Sequence, residues 1–298
     1  MTRPTKSLAY GATLLAAMLW APMPATATFG TSGQAYASAA GVPPVDSSLT
    51  DPVFVGDSIA VANGYGAQAS AIYWASLASA ALSSLAAATA DPANVIQNSA
   101  GAEVNAVSFV DRLFFTIPAG TYGDGLFVRF HGFTQGSLLA LGCTNNAGNN
   151  LCSNGYHTLR FDAGTAYGSA TYAARKDVDA GGVAAASMDT LFALDVPILN
   201  ATTLAVPLTV AAPVSASIIT KGIALGTYGY PAGAVLTMFS GDVWGAFTSI
   251  DVPADVTWTS ESGVFLSQPV PEPATWLLWL AGGVVVSRVR WRRTRNGT

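Results

Sequence analysis

Apolar and polar side chains alternate with a period of two over much of this chain, the pattern of strands that bury one face and wet the other. Leu126, Val128 and Phe130 alternate with Phe127, Arg129 and His131, and Phe109 to Ile117 reads as the strand before them, joined through Pro118-Ala119-Gly120 and Gly123-Asp124-Gly125. Further on, Leu204, Val206, Leu208 and Val210 place four apolar side chains on one strand face; Trp244, Ala246, Thr248, Ile250 and Val252 do so less purely, and Val256 and Trp258 begin another strand. Gly222, Gly226, Gly229, Pro231, Gly233 and Gly241 punctuate this region at the short intervals that antiparallel turns require. Half-apolar strands of this kind are buried by packing two sheets face to face, so the expected fold is an all-β, antiparallel, jelly-roll-like β-sandwich.

The stretch from Ala67 to Ala90 is ambiguous. Alanine and leucine cost least in a helix, but alternating small residues also suit a flat, closely packed sheet face, and strand is the reading adopted. A weak internal echo raises a body of two similar halves: Asp111-Arg112-Leu113-Phe114 leads to Pro118, and Asp189-Thr190-Leu191-Phe192 leads to Pro197.

Both ends depart from this pattern. Arg3 and Lys6 precede an uncharged apolar run from Leu8 to Trp20, followed by Pro22, Pro24 and the small residues of Ala25-Thr26-Ala27. That order is the signature of a secretory signal with Ala25 and Ala27 at the cleavage site, so the mature chain is expected to start near Thr28. At the other end stand Val270-Pro271-Glu272-Pro273, an uncharged run from Ala274 to Ser287, and then Arg288, Arg290, Arg292, Arg293 and Arg295. The prolines hold Glu272 in an extended, non-helical segment. The arginines stay on the cytoplasmic side of a membrane, so the body faces away from the cytoplasm. Fourteen uncharged residues at about 1.5 Å each span about 21 Å, short of the roughly 30 Å hydrocarbon core unless Arg288 snorkels. Gly282-Gly283 weakens the helix further. Such a segment suits a transiently held substrate, with a plain membrane anchor as the alternative.

This tail resembles the PEP-CTERM sorting tail of Gram-negative bacteria, also catalogued as the ice-binding protein C-terminal domain. The resemblance covers about a tenth of the chain. It implies that exosortase, a membrane transpeptidase-like enzyme, recognises the Pro-Glu-Pro motif and cuts the tail, after signal peptidase has processed the other end. The destination implied is the outer surface or the extracellular matrix, with exopolysaccharide or biofilm as the setting. The Asp-x-Leu strand with its Pro-bearing turn, with Val252-Pro253-Ala254-Asp255-Val256 and Ser260-Glu261-Ser262-Gly263, is also similar to the bodies of many such proteins, β-sandwiches with no established activity. The chain is therefore divided into a signal peptide (1–27), a sandwich body (28–268), and a sorting tail with a short transmembrane helix and its arginine cluster (269–298).

Removing the ends sharpens the charge. Seven of the 13 basic residues and one of the 17 acidic residues lie in them, which leaves six against sixteen and a formal charge of −10 on the body. Nucleic acid and anionic membrane surfaces both need clustered lysine and arginine, so neither is an expected partner of the body. Cys143 and Cys152 flank a Thr-Asn-Asn-Ala-Gly-Asn-Asn-Leu stretch that can close on itself in an oxidising compartment, and a disulfide is expected. With only His157 nearby, this pair lacks the ligands of a structural zinc site.

Candidate chemistry in the body is sparse. Val55-Gly56-Asp57-Ser58-Ile59 resembles the nucleophile block of SGNH hydrolases, but that family's Asp-x-x-His is missing: Asn154 stands three residues before His157, and the Gly-x-Asn-Asp block is also absent. A strand ending in a Gly-Asp-Ser turn is the plainer reading, and Ser58 would need a base and an oxyanion hole. His131 and His157 read as surface side chains, and Asp177, Asp179, Asp189 and Asp195 as a solvated acidic face. No Asp-x-Asp-x-Asp-Gly calcium loop is present. Tyr65, Tyr73, Trp74, Tyr228, Tyr230, Trp244 and Trp258 could form a platform for sugar rings, although aromatics more often fill sandwich cores; Tyr228 and Tyr230, in a turn, are the pair expected to face a ligand. No catalytic residue, metal or cofactor is expected. The function expected is that of an exported, non-enzymatic cell-surface or matrix protein, with a polysaccharide-binding adhesin as the alternative and a secreted hydrolase using Ser58 as the remote one.

Overall fold

The computed structural model describes residues 29–91, 97–123, 125–146, 149–179, 183–227 and 237–267. The segments read as a signal peptide and as a sorting tail with its arginines, and Tyr228 and Tyr230, lie outside the described residues. The strands in chain order begin with β1 (Gly30–Ala39), β2 (Val42–Asp51), β3 (Phe54–Ala62), β4 (Ala67–Ser76), β5 (Ala81–Ala90) and β6 (Gln97–Ile117). They continue with β7 (Gly120–Thr121), β8 (Leu126–Leu141), β9 (Cys143–Asn146), β10 (Asn149–Cys152), β11 (Asn154–Thr165) and β12 (Gly168–Asp179). The last are β13 (Val183–Leu199), β14 (Thr203–Leu204), β15 (Leu208–Thr227), β16 (Thr237–Asp251) and β17 (Thr257–Ser260).

Two antiparallel sheets face each other. The first has the order β12-β11-β15-β6-β1-β2, with β17 also pairing with β6; the second has the order β13-β8-β16-β5-β4-β3. The chain is thus the expected antiparallel β-sandwich, and Ala67 to Ala90 forms two strands rather than a helix. The alanines of β4 and β5 alternate inward against Ala35, Ala37, Ala39, Ala100 and Ala102, so burial on a close-packed face outweighs alanine's helical preference. Elsewhere the core is aromatic: Phe247 lies 5.6 Å from Phe130 and 5.1 Å from Phe161, centroid to centroid.

The edges are protected in different ways. Pro43 and Pro44 sit on the edge strand β2, where a missing amide hydrogen costs least, and Arg175, Lys176, Asp177 and Asp179 line the edge strand β12. Pro213 lies within β15 but just past the last pair with β11, Ala163 with Val214, where one side of the strand is already open.

Several sequence expectations need correction. Phe109 to Ile117 and Leu126 to Phe130 are both strands, as read, but β6 and β8 lie in opposite sheets, and the connection between them crosses the sandwich. Leu204 to Val210 is two pieces, because Pro207 interrupts the run and leaves Val206 67% exposed. The face shared by Trp244 and Ala246 does not continue to Ile250; a bulge between Phe247 and Ser249 reverses the alternation, so Ile250 packs against the core. The echoed tetrapeptides occupy opposite faces, since Asp111 and Leu113 point into the core whereas Leu191 is 84% exposed.

The strand β6 organises the first sheet. At 21 residues it pairs with β15 along one edge, and with β1 and then β17 along the other. A register shift at Asn105 explains why Val104 and Val107, an odd number of residues apart, are both buried. Beyond the shift, Val107, Phe109, Asp111, Leu113, Phe115 and Ile117 all face inward, so the Asp111 carboxylate is fully buried among apolar side chains. Its oxygens accept hydrogen bonds from the Arg112 amide at 2.7 Å, the Ser262 amide at 3.2 Å and the Ser262 hydroxyl at 2.5 Å. Three donors offset the desolvation of the charge. They also hold the chain after β17 so that Phe265 enters the core, with its ring centroid 6.2 Å from those of Phe109 and Phe247. Asp111→Ala is expected to lose about 2 to 3 kcal/mol of stability, read as a lower urea midpoint. Asp111→Asn, which keeps one acceptor, should lose less.

Candidate functional site

The outer face of the second sheet carries the most distinctive surface chemistry among the described residues. Directly opposed residues form a row across all six strands: Gly56, Trp74, Ser83, Trp244, Gln135 and Asp189. Trp74 and Trp244 are separated by one strand, so their backbones lie about 10 Å apart. The Trp244 indole is held from two sides. Its Nε1 donates to Gln135 Oε1 at 3.0 Å, and its ring meets Phe133 edge to face with centroids 4.2 Å apart. Trp74, Ala81 and Ala246 form a small apolar cluster with Phe133 outside the main core. Trp74 is nearly buried, at 8% exposure, so the half-buried Trp244 and Phe133 offer the accessible ring surface of the row. Beside it, Ser137 donates to the Asp242 carboxylate. Apolar rings flanked by amide, hydroxyl and carboxylate groups can stack on a sugar ring and bind its hydroxyls.

The other aromatic candidates scatter. Tyr73 is buried beneath β1, where only a glycine at position 33 leaves room for its ring. Burial pushes the Tyr73 phenol pKa up, its hydrogen bond with Ser47 pulls it down, and the charge of Asp57 raises it. Trp258 packs half-buried against the main core from β17, and Tyr65 projects from the turn between β3 and β4. Sequence reasoning singled out Trp74 and Trp244 but missed Phe133 and Gln135. Their positions two residues apart on one strand, with Trp244 opposite Gln135, become visible only once the register is known.

Gly56-Asp57-Ser58 does not end a strand as expected. It occupies the middle of β3, with Asp57 turned in to accept a hydrogen bond from Ser47 and Ser58 turned out. His131 lies four strands away in the same sheet and six residues along β8 from Ser137, the residue level with Ser58, roughly 28 Å in all, and its Nε2 is 2.7 Å from the Asp251 carboxylate. Ser58 is therefore brought to neither histidine, because His157 points into the core. The acidic residues expected as a solvated face divide between two arrangements. Asp177 pairs with Arg175 and Asp195 with Arg129, and in each case the hydrogen bond from the guanidinium holds the carboxyl below its usual pKa. Asp179 and Asp189 are exposed. Among the described residues no group of three histidine, cysteine, aspartate or glutamate side chains could hold a metal ion. Cys143 and Cys152 are register partners in the small β9-β10 ladder; directly opposed residues have Cα atoms about 4.5 to 5.5 Å apart, which falls within the reach of a disulfide.

With the geometry in view, the fold defines the class as an all-β antiparallel sandwich. No family model matches the chain, and no curated protein is similar to it. No helix among the described residues is long and apolar enough to cross a membrane.

His157 is fully buried rather than exposed as the sequence suggested, since the alternation of β11 turns it inward with Leu159 and Phe161. Neither ring nitrogen has a hydrogen-bond partner among the described residues. Burial pushes its pKa down to about 4, against the pull of Asp177, with Lys176 adding to the drop. The unfolded chain takes up a proton near pH 6.5 that the folded chain refuses until about pH 4. The contribution of this group is therefore fully present above pH 6.5 and is lost as the pH falls toward 4, a loss of roughly 2 to 3 kcal/mol. Urea midpoints measured from pH 7 to pH 4.5 should fall for the wild type and fall much less for His157→Leu.

Proposed function

We propose that this chain is an exported, non-enzymatic cell-surface or extracellular-matrix protein of a Gram-negative bacterium, delivered through a tail that exosortase recognises. The observation that supports this reading is the order of the described strands and the motif along the chain. The last ladder pair among the described residues is Ser260 with Leu113, and Phe265 is buried. Every described strand lies ahead of Val270. A cut at or beyond the Pro-Glu-Pro motif would remove no described strand pairing, as a detachable address requires. The opposed cysteines suit the oxidising compartment that such a route implies. Signal peptidase and exosortase are the processing partners, the membrane holds the tail until it is cut, and no cofactor is invoked.

The outer row of the second sheet supports one further role, an adhesin that engages exopolysaccharide through Trp244 and Phe133. The acidic body favours an uncharged glycan over an anionic one.

Mass spectrometry of the mature C-terminus, from hosts with and without exosortase, tests the sorting reading. A truncated C-terminus is expected only when the enzyme is present; a chain that keeps Arg288 to Thr298 in both strains would leave a plain anchor. Retention on the host's exopolysaccharide should fall severalfold for Trp244→Ala and remain unchanged for Ser58→Ala.

A further inference from the structure

The row that holds Trp74 and Trp244 has a neighbour on the same outer face of the second sheet, two residues along each strand. Direct opposition lines up Phe54, Ser76, Ala81, Ala246, Phe133 and Leu191 across β3, β4, β5, β16, β8 and β13. Five strand spacings separate its ends, about 24 Å. Phe54 is 50% exposed and Leu191 84%, and they stand at those two ends. Between them the apolar surface is continuous. The Phe54 ring lies over Gly56, where an added Cβ would sit 3.2 Å from the ring and 3.3 Å from the Trp74 Cβ, so the bare backbone at position 56 brings Phe54 beside Trp74. Trp74 packs with Ala81, Ala246 and Phe133, and Phe133 meets Trp244 on one side and stands opposite Leu191 on the other. The remaining exposed large apolar side chains among the described residues, Val45, Leu49, Tyr65, Phe127, Tyr167 and Val206, stand off these two rows.

Shape and flanks decide what this band can hold. It is two rows wide, roughly 13 Å by 24 Å, an area of about 300 Å². A stable protein interface buries about 800 Å² on each partner, so the band is too narrow to seat a second copy of the chain. It also runs across the strands, and a peptide laid along it meets no open strand edge with which to share main-chain hydrogen bonds. A linear sugar chain needs neither, only flat ring surface with side-chain donors and acceptors beside it. Those groups are present, with Gln135, Ser137 and Asp242 on one flank and His131 and Asp251 on the other. The charge on both flanks is acidic. Asp189 and Asp242 lie on one side and Asp195 and Asp251 on the other, against Arg129 and His131, each already hydrogen-bonded to a carboxylate. An anionic chain would be repelled from both sides.

We infer that the band from Phe54 to Leu191 is an extended binding site for the interior of a linear, uncharged glycan, which lies across the strands and covers several sugar residues at once. This deepens the adhesin reading and rests on it. Trp244 and Phe133 form the centre of the site, and Phe54 and Leu191 are its two outer contacts. Both ends of the band open at edge strands, so the chain passes over the sheet without needing a free terminus.

Calorimetric titration of the full-length chain with fragments of the host's exopolysaccharide provides the test. The fragments are disaccharides and hexasaccharides, each separated into a neutral and a uronate-bearing fraction. Neutral hexasaccharides are expected to bind severalfold more tightly than neutral disaccharides. Leu191→Ala and Phe54→Ala should each weaken hexasaccharide binding severalfold and disaccharide binding much less, whereas Trp244→Ala weakens both. Leu191 is so exposed that its truncation leaves the fold intact, and Val206→Ala, an exposed apolar position off the band, should change neither. Hexasaccharide binding that survives both Leu191→Ala and Phe54→Ala but not Trp244→Ala confines the site to its centre and overturns the extended band while leaving the adhesin reading in place. Tighter binding of the uronate-bearing fraction overturns the assignment of an uncharged chain. A protein that binds no fragment overturns the adhesin reading, and the band with it.

Discussion

A buried carboxylate holds the end of the sandwich in place. Asp111 is the one charged member of an inward row on β6, and it stands where β1 has stopped pairing and β17 has not yet begun. An isolated charge in such a place would be costly. Here the cost is met by donors from Arg112 and Ser262, and in meeting it the chain after β17 is drawn down against the sheet. The insertion of Phe265 between Phe109 and Phe247 follows from that position. One polar contact thus sets where the apolar contact of Phe265 forms.

Much of the architecture was legible in the sequence, and the failures have local causes. Alternation in Leu126 to His131 and in the alanine-rich stretch from Ala67 gave strands that the structure contains. Alternation misled wherever the backbone slips by a residue. The shift at Asn105 and the bulge after Phe247 each reverse which parity faces inward, and no residue type at those points announces it. The burial of His157 was missed for a related reason: a lone histidine beside an asparagine-rich stretch reads as surface until the pairing of β11 with β15 places it opposite Thr220. Gly56-Asp57-Ser58 looked like a turn because those residues favour turns, yet an edge strand tolerates them when Asp57 has an acceptor role to fill.

The candidate site follows a similar division. The residue types were visible, since tryptophans in an all-β protein invite a sugar-binding reading, but their arrangement was not. Tyr73 and Trp74 are neighbours in sequence and face opposite ways, one into the core and one out. Only the cross-strand register brings Trp74, Trp244 and Gln135 into one line. The Val270-Pro271-Glu272-Pro273 stretch is the reverse case: its order along the chain is the whole signal, and it lies outside the described residues.

The core also changes character from one part to another. Around β1, β4 and β5 it is lined by alanine, and around β8, β11 and β16 by phenylalanine. Alanine against alanine fills the space only if the sheets approach more closely than the roughly 10 Å typical of sandwiches. In the phenylalanine part a changed ring can be accommodated by its many neighbours adjusting together. In the alanine part the backbones themselves form most of the packing surface, with Tyr73 against Gly33 as the exception, and few side chains are long enough to yield. The two parts should therefore drift at different rates among descendants of this sequence: the aromatic part by single exchanges, the alanine part scarcely at all unless whole strands change together.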